Sequence, residues 1–362
     1  MVIIISAVVV ETMDMVLETM DVVIIYFGYH YYSYSFRYYG ICFSYASFIY
    51  IPNFCDSHIY ILSIINNLFL NNFIVCEVFM KFIILGDSKG KENGINKKVL
   101  NRLLKSSKNF IHSPNFIVIC GDSISGDKNP ENLNSQFKSF KEIINKYYPN
   151  IQLIPVIGNH EVNTTPKDDK YEKIFKSFYS DMIPDNNCLE NYNKTVYYLE
   201  FSNIKIIVLN SFHYGEIQKI SDETISWLKH ITSNCDKKKL LFLHSPLFPT
   251  GAHLGHCLDL YSDSRDELLK AIEECNIDAV FCGHEHNYSR RLINTNNTNK
   301  DLYQIITGGG GETLKDKYKS KSGVIIPPIA EYHYLIGDSY GDYIKITAVN
   351  IKNKILDQFI IE

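Results

Sequence analysis

Ile277-Asp278-Ala279-Val280-Phe281-Cys282-Gly283-His284-Glu285-His286 decides the fold. A short apolar run of strand length stops at a glycine, and three polar, proton-carrying side chains follow at once. The same design recurs upstream. Lys81–Leu85 runs into Gly86-Asp87, Phe116–Cys120 into Gly121-Asp122, Ile151–Ile157 into Gly158-Asn159-His160-Glu161, and Leu240–Leu243 into His244. In open α/β sheets, ligands gather at the carboxyl ends of strands. Glycine lets the chain turn there and approach a ligand closely.

Between these runs the apolar spacing becomes helical. Ile95–Leu104, Phe137–Tyr147, Tyr171–Phe178, Ser221–His230 and Arg265–Cys275 read as helices, with Ser221 as an N-cap and Trp227 on an apolar face. Val196–Phe201 and Ile204–Leu209 read as a hairpin around Ser202-Asn203. Strands are expected near Leu302–Ile306, Tyr343–Val349 and Ile355–Ile361. Alternating helices and strands with a late run of strands predict an α/β layered fold whose sheets are mixed.

Composition sets the outer bounds. The chain has 362 residues, 46% hydrophobic and 21% charged, with net charge −4. That is a globular composition without the global basic field that would draw nucleic acid. Nine cysteines, an odd number with no CxxC, predict reduced thiols. Gly308–Gly311 lacks the strand and helix of a dinucleotide site, and Gly86–Lys91 lacks the ending of a P-loop.

Residues 1–79 differ from the rest. Arg37 is the only Lys or Arg before Lys81, and Tyr and Phe crowd Tyr26–Tyr60. Glu-Thr-Met-Asp occurs at Glu11–Asp14 and again at Glu18–Asp21, too few copies for a coiled coil. Ile59–Phe79 is long enough to span a bilayer, but several asparagines and Glu77 interrupt it. The preferred reading makes Met80 the true start and residues 1–79 an artefact of the assigned gene. The alternative is a membrane-associated extension. The expectation is therefore a domain over residues 80–362, cytoplasmic, and membrane-anchored only if residues 1–79 belong to the protein.

Asp, Asn and His form a mixed oxygen and nitrogen donor set that suits Zn, Mn or Fe. Two such ions about 4 Å apart can clamp a phosphate and generate hydroxide at neutral pH. A shared carboxylate links them, and a nearby histidine can protonate a leaving oxygen.

Gly86-Asp87, Gly121-Asp122, Gly158-Asn159-His160-Glu161, His244 and Gly283-His284-Glu285-His286, in this order, resemble the motifs of the calcineurin-like metallophosphoesterases. The resemblance covers the chain from Met80 onward. It implies a four-layer αββα sandwich of two mixed β-sheets and hydrolysis of a phosphate mono- or diester by a metal-bridging hydroxide. It implies two divalent or trivalent transition-metal ions. Asp87 and His286 would hold the first, Asp122 would bridge, and Asn159, His244 and His284 would hold the second. His160 would be the general acid or a positioning group, oriented by Glu161. Substrates would be small-molecule or protein phosphoesters. A catalytically silent scaffold that keeps the fold is the alternative.

Lys89 departs from the family pattern, which has a first-site histidine there. A protonated lysine cannot ligate a metal. It is expected to meet a substrate phosphate oxygen instead, leaving the second site the tighter one. The last motif, through Asn287-Tyr288-Ser289-Arg290, is similar to that of the purple acid phosphatases. Those enzymes carry a tyrosine ligand three residues after the bridging aspartate. Ser125 stands there, so no purple iron centre is expected. Arg290, with Arg291, is a candidate phosphate contact, and His213, His253 and His256 are weaker candidates for the pocket lining.

Overall fold

The computed structural model of the protein describes residues 80–164, 166–294 and 301–362, together with the backbone of 23–27 and 30–34. The chain divides into two units, Met1–Phe79 and Met80–Glu362. In the first, β1 (Val23–Phe27) pairs antiparallel with β2 (His30–Tyr34). The Glu-Thr-Met-Asp repeat and the apolar run Ile59–Phe79 lie outside the described residues. Among those described, no helix is long and apolar enough to cross a membrane.

The second unit opens with β3 (Met80–Leu85), β4 (Lys89–Glu92), α1 (Lys97–Ser107), β5 (Phe116–Ile119), α2 (Pro130–Tyr147), β6 (Gln152–Pro155) and α3 (Lys170–Phe178). Next come β7 (Tyr197–Glu200), β8 (Ile204–Val208), α4 (Asp222–Thr232), β9 (Lys238–Phe242), α5 (Ser262–Glu274) and β10 (Ala279–Cys282). It closes with β11 (Tyr288–Ile293), β12 (Leu302–Thr307), β13 (Val324–Ile329), β14 (His333–Ser339), β15 (Ile344–Asn350) and β16 (Ile355–Ile361).

One sheet has the order β16-β15-β14-β3-β5-β6, the other β13-β11-β12-β10-β9-β8-β7. Both are mixed. β3, β5 and β6 run parallel, as do β8, β9, β10 and β12, while the remaining neighbours are antiparallel. The core strands are continuous apolar runs because they are covered on both faces. Side-chain alternation sorts them into layers. Ile206, Val208, Leu240, Phe242 and Phe281 join the core shared with Phe82, Ile84 and Phe116 of the other sheet. Their neighbours Ile207, Leu241, Leu243 and Val280 pack on the opposite face with Leu228 of α4 and Leu268 of α5. Val99 and Leu103 of α1 and Phe137 and Phe140 of α2 belong to the first core. The fold is the four-layer αββα sandwich of two mixed sheets.

Helix starts follow local rules. Asn96, Asn129 and Ser221 cap α1, α2 and α4 through side-chain oxygens, and Pro130 takes the first turn of α2. β4, β11, β13 and β14 were not expected as strands. β11 reads Tyr-Ser-Arg-Arg-Leu-Ile, too polar for an apolar-run signal, and β13 contains Pro327-Pro328 at a sheet edge. Cys120, Cys188, Cys235, Cys257, Cys275 and Cys282 are free thiols, and Cys42, Cys55 and Cys76 lie outside the described residues.

Candidate metal centre

The two sheets bring five strand ends to one place. Asp87 follows β3, Asp122 follows β5, Asn159 follows β6, His244 follows β9, and His284 and His286 follow β10. Four of these residues turn through the left-handed region, Asp87 at φ 59, Asp122 at 50, His284 at 70 and His286 at 51. Backbone held there without glycine costs free energy and must be fixed by its surroundings. The preceding glycines make room. A Cβ on Gly121 would lie 2.5 Å from His244 Nδ1, and one on Gly283 would lie 2.5 Å from Asp87 Oδ2.

Two donor groups result, Asp122-His244-His284 and Asp87-Asp122-His286, each with ligand atoms within 4.8 Å of one another. Asp122 is common to both. Its Oδ1 accepts from the His160 amide at 3.0 Å, and its Oδ2 lies 3.4 Å from His244 Nε2. His244 Nε2 lies 3.1 Å from His284 Nδ1, and His286 Nε2 lies 3.5 Å from Asp87 Oδ1.

The other nitrogen of each ring is anchored. His244 Nδ1 donates to the Cys120 carbonyl at 2.7 Å, His286 Nδ1 to Thr313 at 3.1 Å, and His284 Nε2 to His256 at 3.2 Å. These bonds leave the inward nitrogen with its lone pair, as a metal-ligating histidine needs. Asp87 Oδ2 accepts from the His284 amide at 2.9 Å, which leaves Oδ1 inward. Asp87 Oδ1, Asn159 Oδ1 and His286 Nε2 are buried without a hydrogen-bond partner among the described residues. Orphaned buried polar atoms are costly, and those of Asp87 and His286 lie 3.5 Å apart within the group that shares Asp122, as a cation site requires.

Charge tells the same story. Burial, reinforced by Asp122, pushes Asp87 up to about 7 against the pull of His244 and Lys89. Burial would also raise Asp122, but His244 and Lys89 hold it well below the ordinary carboxylate range. Burial would lower His244, but Asp122, Asp87 and the Cys120 carbonyl together lift it to about 9. Without cations the space cannot keep both carboxylates charged.

Several candidate residues have protein partners of their own. Lys89 is buried and donates to Asp122 Oδ2 at 2.6 Å, so its charge is already paired with the shared carboxylate. Arg290 points away from the centre. Its Nε and Nη2 donate to Asp357 of β16 at 2.7 and 3.2 Å, and it stacks on Phe359. Arg291 donates to backbone carbonyls of Ser320 and Ser322. Both arginines sit on β11, Arg290 held by β16 of the other sheet and Arg291 by the loop that carries Ser320 and Ser322.

Glu161 does not orient the His160 ring. Its carboxylate accepts from the amides of Asp122 (2.9 Å), Ser123 (2.7 Å) and Gly158 (2.8 Å), locking two ligand loops together. The His160 ring is held by Nδ1 donating to the Ser125 carbonyl at 2.9 Å, with Nε2 3.9 Å from Asp122 Oδ2. Ser125 Oγ donates to Gly90. His213 donates to Glu172 at 3.0 Å and stacks on Tyr192, outside both donor groups. Of His256, it is the carbonyl that serves the centre.

Two residues to which the sequence assigned no role also matter. Glu285, between the two histidines, accepts from the amides of Gly251 (2.9 Å), His253 (3.0 Å) and Thr250, and so pins the 250–253 loop. Lys315 donates to His253 Nε2 at 2.7 Å. The His253 ring lies 4.4 Å from that of His284 and 5.4 Å from that of His286.

The calcineurin-like phosphoesterase family model matches residues 80–288, more than half of the chain. The chain belongs to that family. It is 23% identical over 262 residues to the zebrafish (Danio rerio) serine/threonine-protein phosphatase CPPED1, covering 69% of this chain and 78% of the relative. It is 28% identical over 260 residues to a probable glycerophosphodiester phosphodiesterase GpdQ of Arcobacter nitrofigilis, covering 68% and 84%. Among solved structures, the purple acid phosphatase PPD1 of yellow lupin (Lupinus luteus) superposes with TM-score 0.63 at 13% identity, covering 78% of this chain. This chain spans about half of the lupin enzyme, 53%. A dimetal phosphatase of Danio rerio gives 0.51 at 14% identity, covering 78% and 98%. These structural likenesses concern the fold. The family acts on phosphoric ester bonds and depends on two metals, and the Asp and His groups described here can hold metal ions.

Proposed function

We propose that residues 80–362 form a metal-dependent phosphoesterase that hydrolyses a phosphate mono- or diester. Asp87, Asp122, Asn159, His244, His284 and His286 would hold two transition-metal ions, Mn, Fe or Zn. Bound there, such ions supply Lewis-acid charge and lower the pKa of water. The observation that carries the reading is the pair of donor groups sharing Asp122, with unpartnered donor atoms turned inward.

The chain's own residues supply the rest. The His160 ring is fixed by Ser125, and its side chain is 31% exposed, so Nε2 can meet a leaving oxygen and hand it a proton. Glu161 and Glu285 hold the ligand loops still, which keeps the donors in place before substrate arrives.

The test is turnover of an aryl phosphate and its bis-aryl diester by protein loaded with Mn, Zn or Fe, beside Asp122→Asn. We expect Asp122→Asn to lose at least ~10³-fold in kcat/KM and to release metal, since it removes the shared carboxylate. Wild-type protein that binds metal but turns over neither ester would identify a silent scaffold.

A further inference from the structure

We propose that Lys315 is a substrate-binding residue that selects dianionic phosphomonoesters over monoanionic diesters. This rests on the hydrolase reading above and names its substrate class.

Position is the first argument. The Lys315 amide donates to the His286 carbonyl at 3.1 Å, and its ammonium donates to His253 Nε2 at 2.7 Å. The His253 ring contacts one histidine of each donor group, His284 at 4.4 Å and His286 at 5.4 Å. The His253 amide is in turn fixed by Glu285 at 3.0 Å. Lys315 is therefore placed beside the junction of the two groups, where a phosphate spanning both would lie.

Charge is the second argument. Lys89, the other lysine of the centre, is already paired with Asp122 at 2.6 Å. Lys315 forms no carboxylate ion pair among the described residues, and its bonded partner is an imidazole nitrogen. An ammonium has three protons, and His253 takes one. Two remain for anionic oxygens. A phosphomonoester carries close to two negative charges at neutral pH, and a diester carries one. A half-buried cation favours the more highly charged ester, and the preference should appear in binding rather than in the chemical step.

A purely structural Lys315 would tie the 312–320 segment to His253 and serve both esters equally. The metal-loaded protein and its Lys315→Gln variant distinguish the two roles. We expect Lys315→Gln to raise KM for an aryl monoester, and the inhibition constant of inorganic phosphate, by ~10-fold or more. Its kcat should stay within about 3-fold, and its KM for the bis-aryl diester within about 2-fold. Lys315→Arg should restore monoester KM, and metal content should be unchanged. Equal loss on both esters, or an unchanged phosphate constant, overturns the proposal. If wild-type protein turns over neither ester, the hydrolase reading fails separately. Calorimetric titration of wild type and Lys315→Gln with inorganic phosphate then still decides whether Lys315 binds the anion.

Discussion

The two halves of the candidate metal centre share one carboxylate but not one design. Around His244 and His284, the acidic partner is Asp122, and each ring is tied through its far nitrogen to a backbone carbonyl. Around Asp87 and His286, an ammonium intrudes: Lys89 donates to the shared Asp122 Oδ2 at 2.6 Å. One oxygen is thus claimed by a fixed positive charge on one side and by a metal-type donor group on the other. A buried lysine paired in this way supplies part of the cationic charge that a histidine-ligated metal would bring, without a ligand lone pair. The difference suggests that the two sites bind metal unequally, the His244–His284 half more tightly.

Replacing the intruder tests this most strongly. Lys89→His removes the competing charge and adds a ligand, so metal affinity of the Asp87–His286 half should rise ~10–100-fold. Calorimetric titration with Mn or Zn should change from one tight and one weak event to two tight ones. Two equally tight events in the unaltered protein would break the asymmetry.

The next contrast is between Lys89 at the centre and Arg290 beside the last motif. Arg290 and Asp357 form a two-pronged pair, with side chains 8% and 7% exposed. Arg290→Ala leaves the buried Asp357 carboxylate with the Tyr288 hydroxyl, at 2.7 Å, but no countercharge, and should cost about 3 kcal/mol in denaturant unfolding. Its kcat/KM should stay within about 2-fold of the unaltered enzyme. A large activity loss at unchanged stability would return Arg290 to the substrate site.

The smallest effect is expected at His213, a histidine outside both donor groups. Burial lowers its pKa, but Glu172, with Glu216 and Asp169, more than compensates, and the net shift is upward. A raised folded pKa adds stability that is complete below the unfolded value and is lost as pH rises through the folded one. His213→Gln should therefore flatten the decline of Tm as pH rises above about 6.5, by a degree or two. Activity should follow metal loading rather than this change.

The same contrast runs through what the sequence could tell. The strand ends carrying Asp87, Asp122, Asn159, His244, His284 and His286 were legible because apolar runs and glycine turns are local signals, repeated in a fixed order. Parallel buried strands write themselves as continuous apolar runs. β11, antiparallel to both its neighbours, did not, because it carries Arg290 and Arg291, whose charges are satisfied by Asp357 and by backbone carbonyls far along the chain. His160 was legible, but its partner was not. Ser125 holds the ring through a carbonyl, and a backbone atom has no sequence signature.

By itself, then, the sequence determined the layered α/β fold, the polar residues at its strand ends and the unusual lysine at position 89. Tertiary structure alone decided where charge goes. Lys89 turned to Asp122, Arg290 to Asp357, Glu161 to the amides of two loops and Lys315 to His253. The reason is physical. Strand and turn formation depend on neighbours in the chain, whereas a buried charge takes whichever opposite group or dipole the folded layers place within about 3 Å.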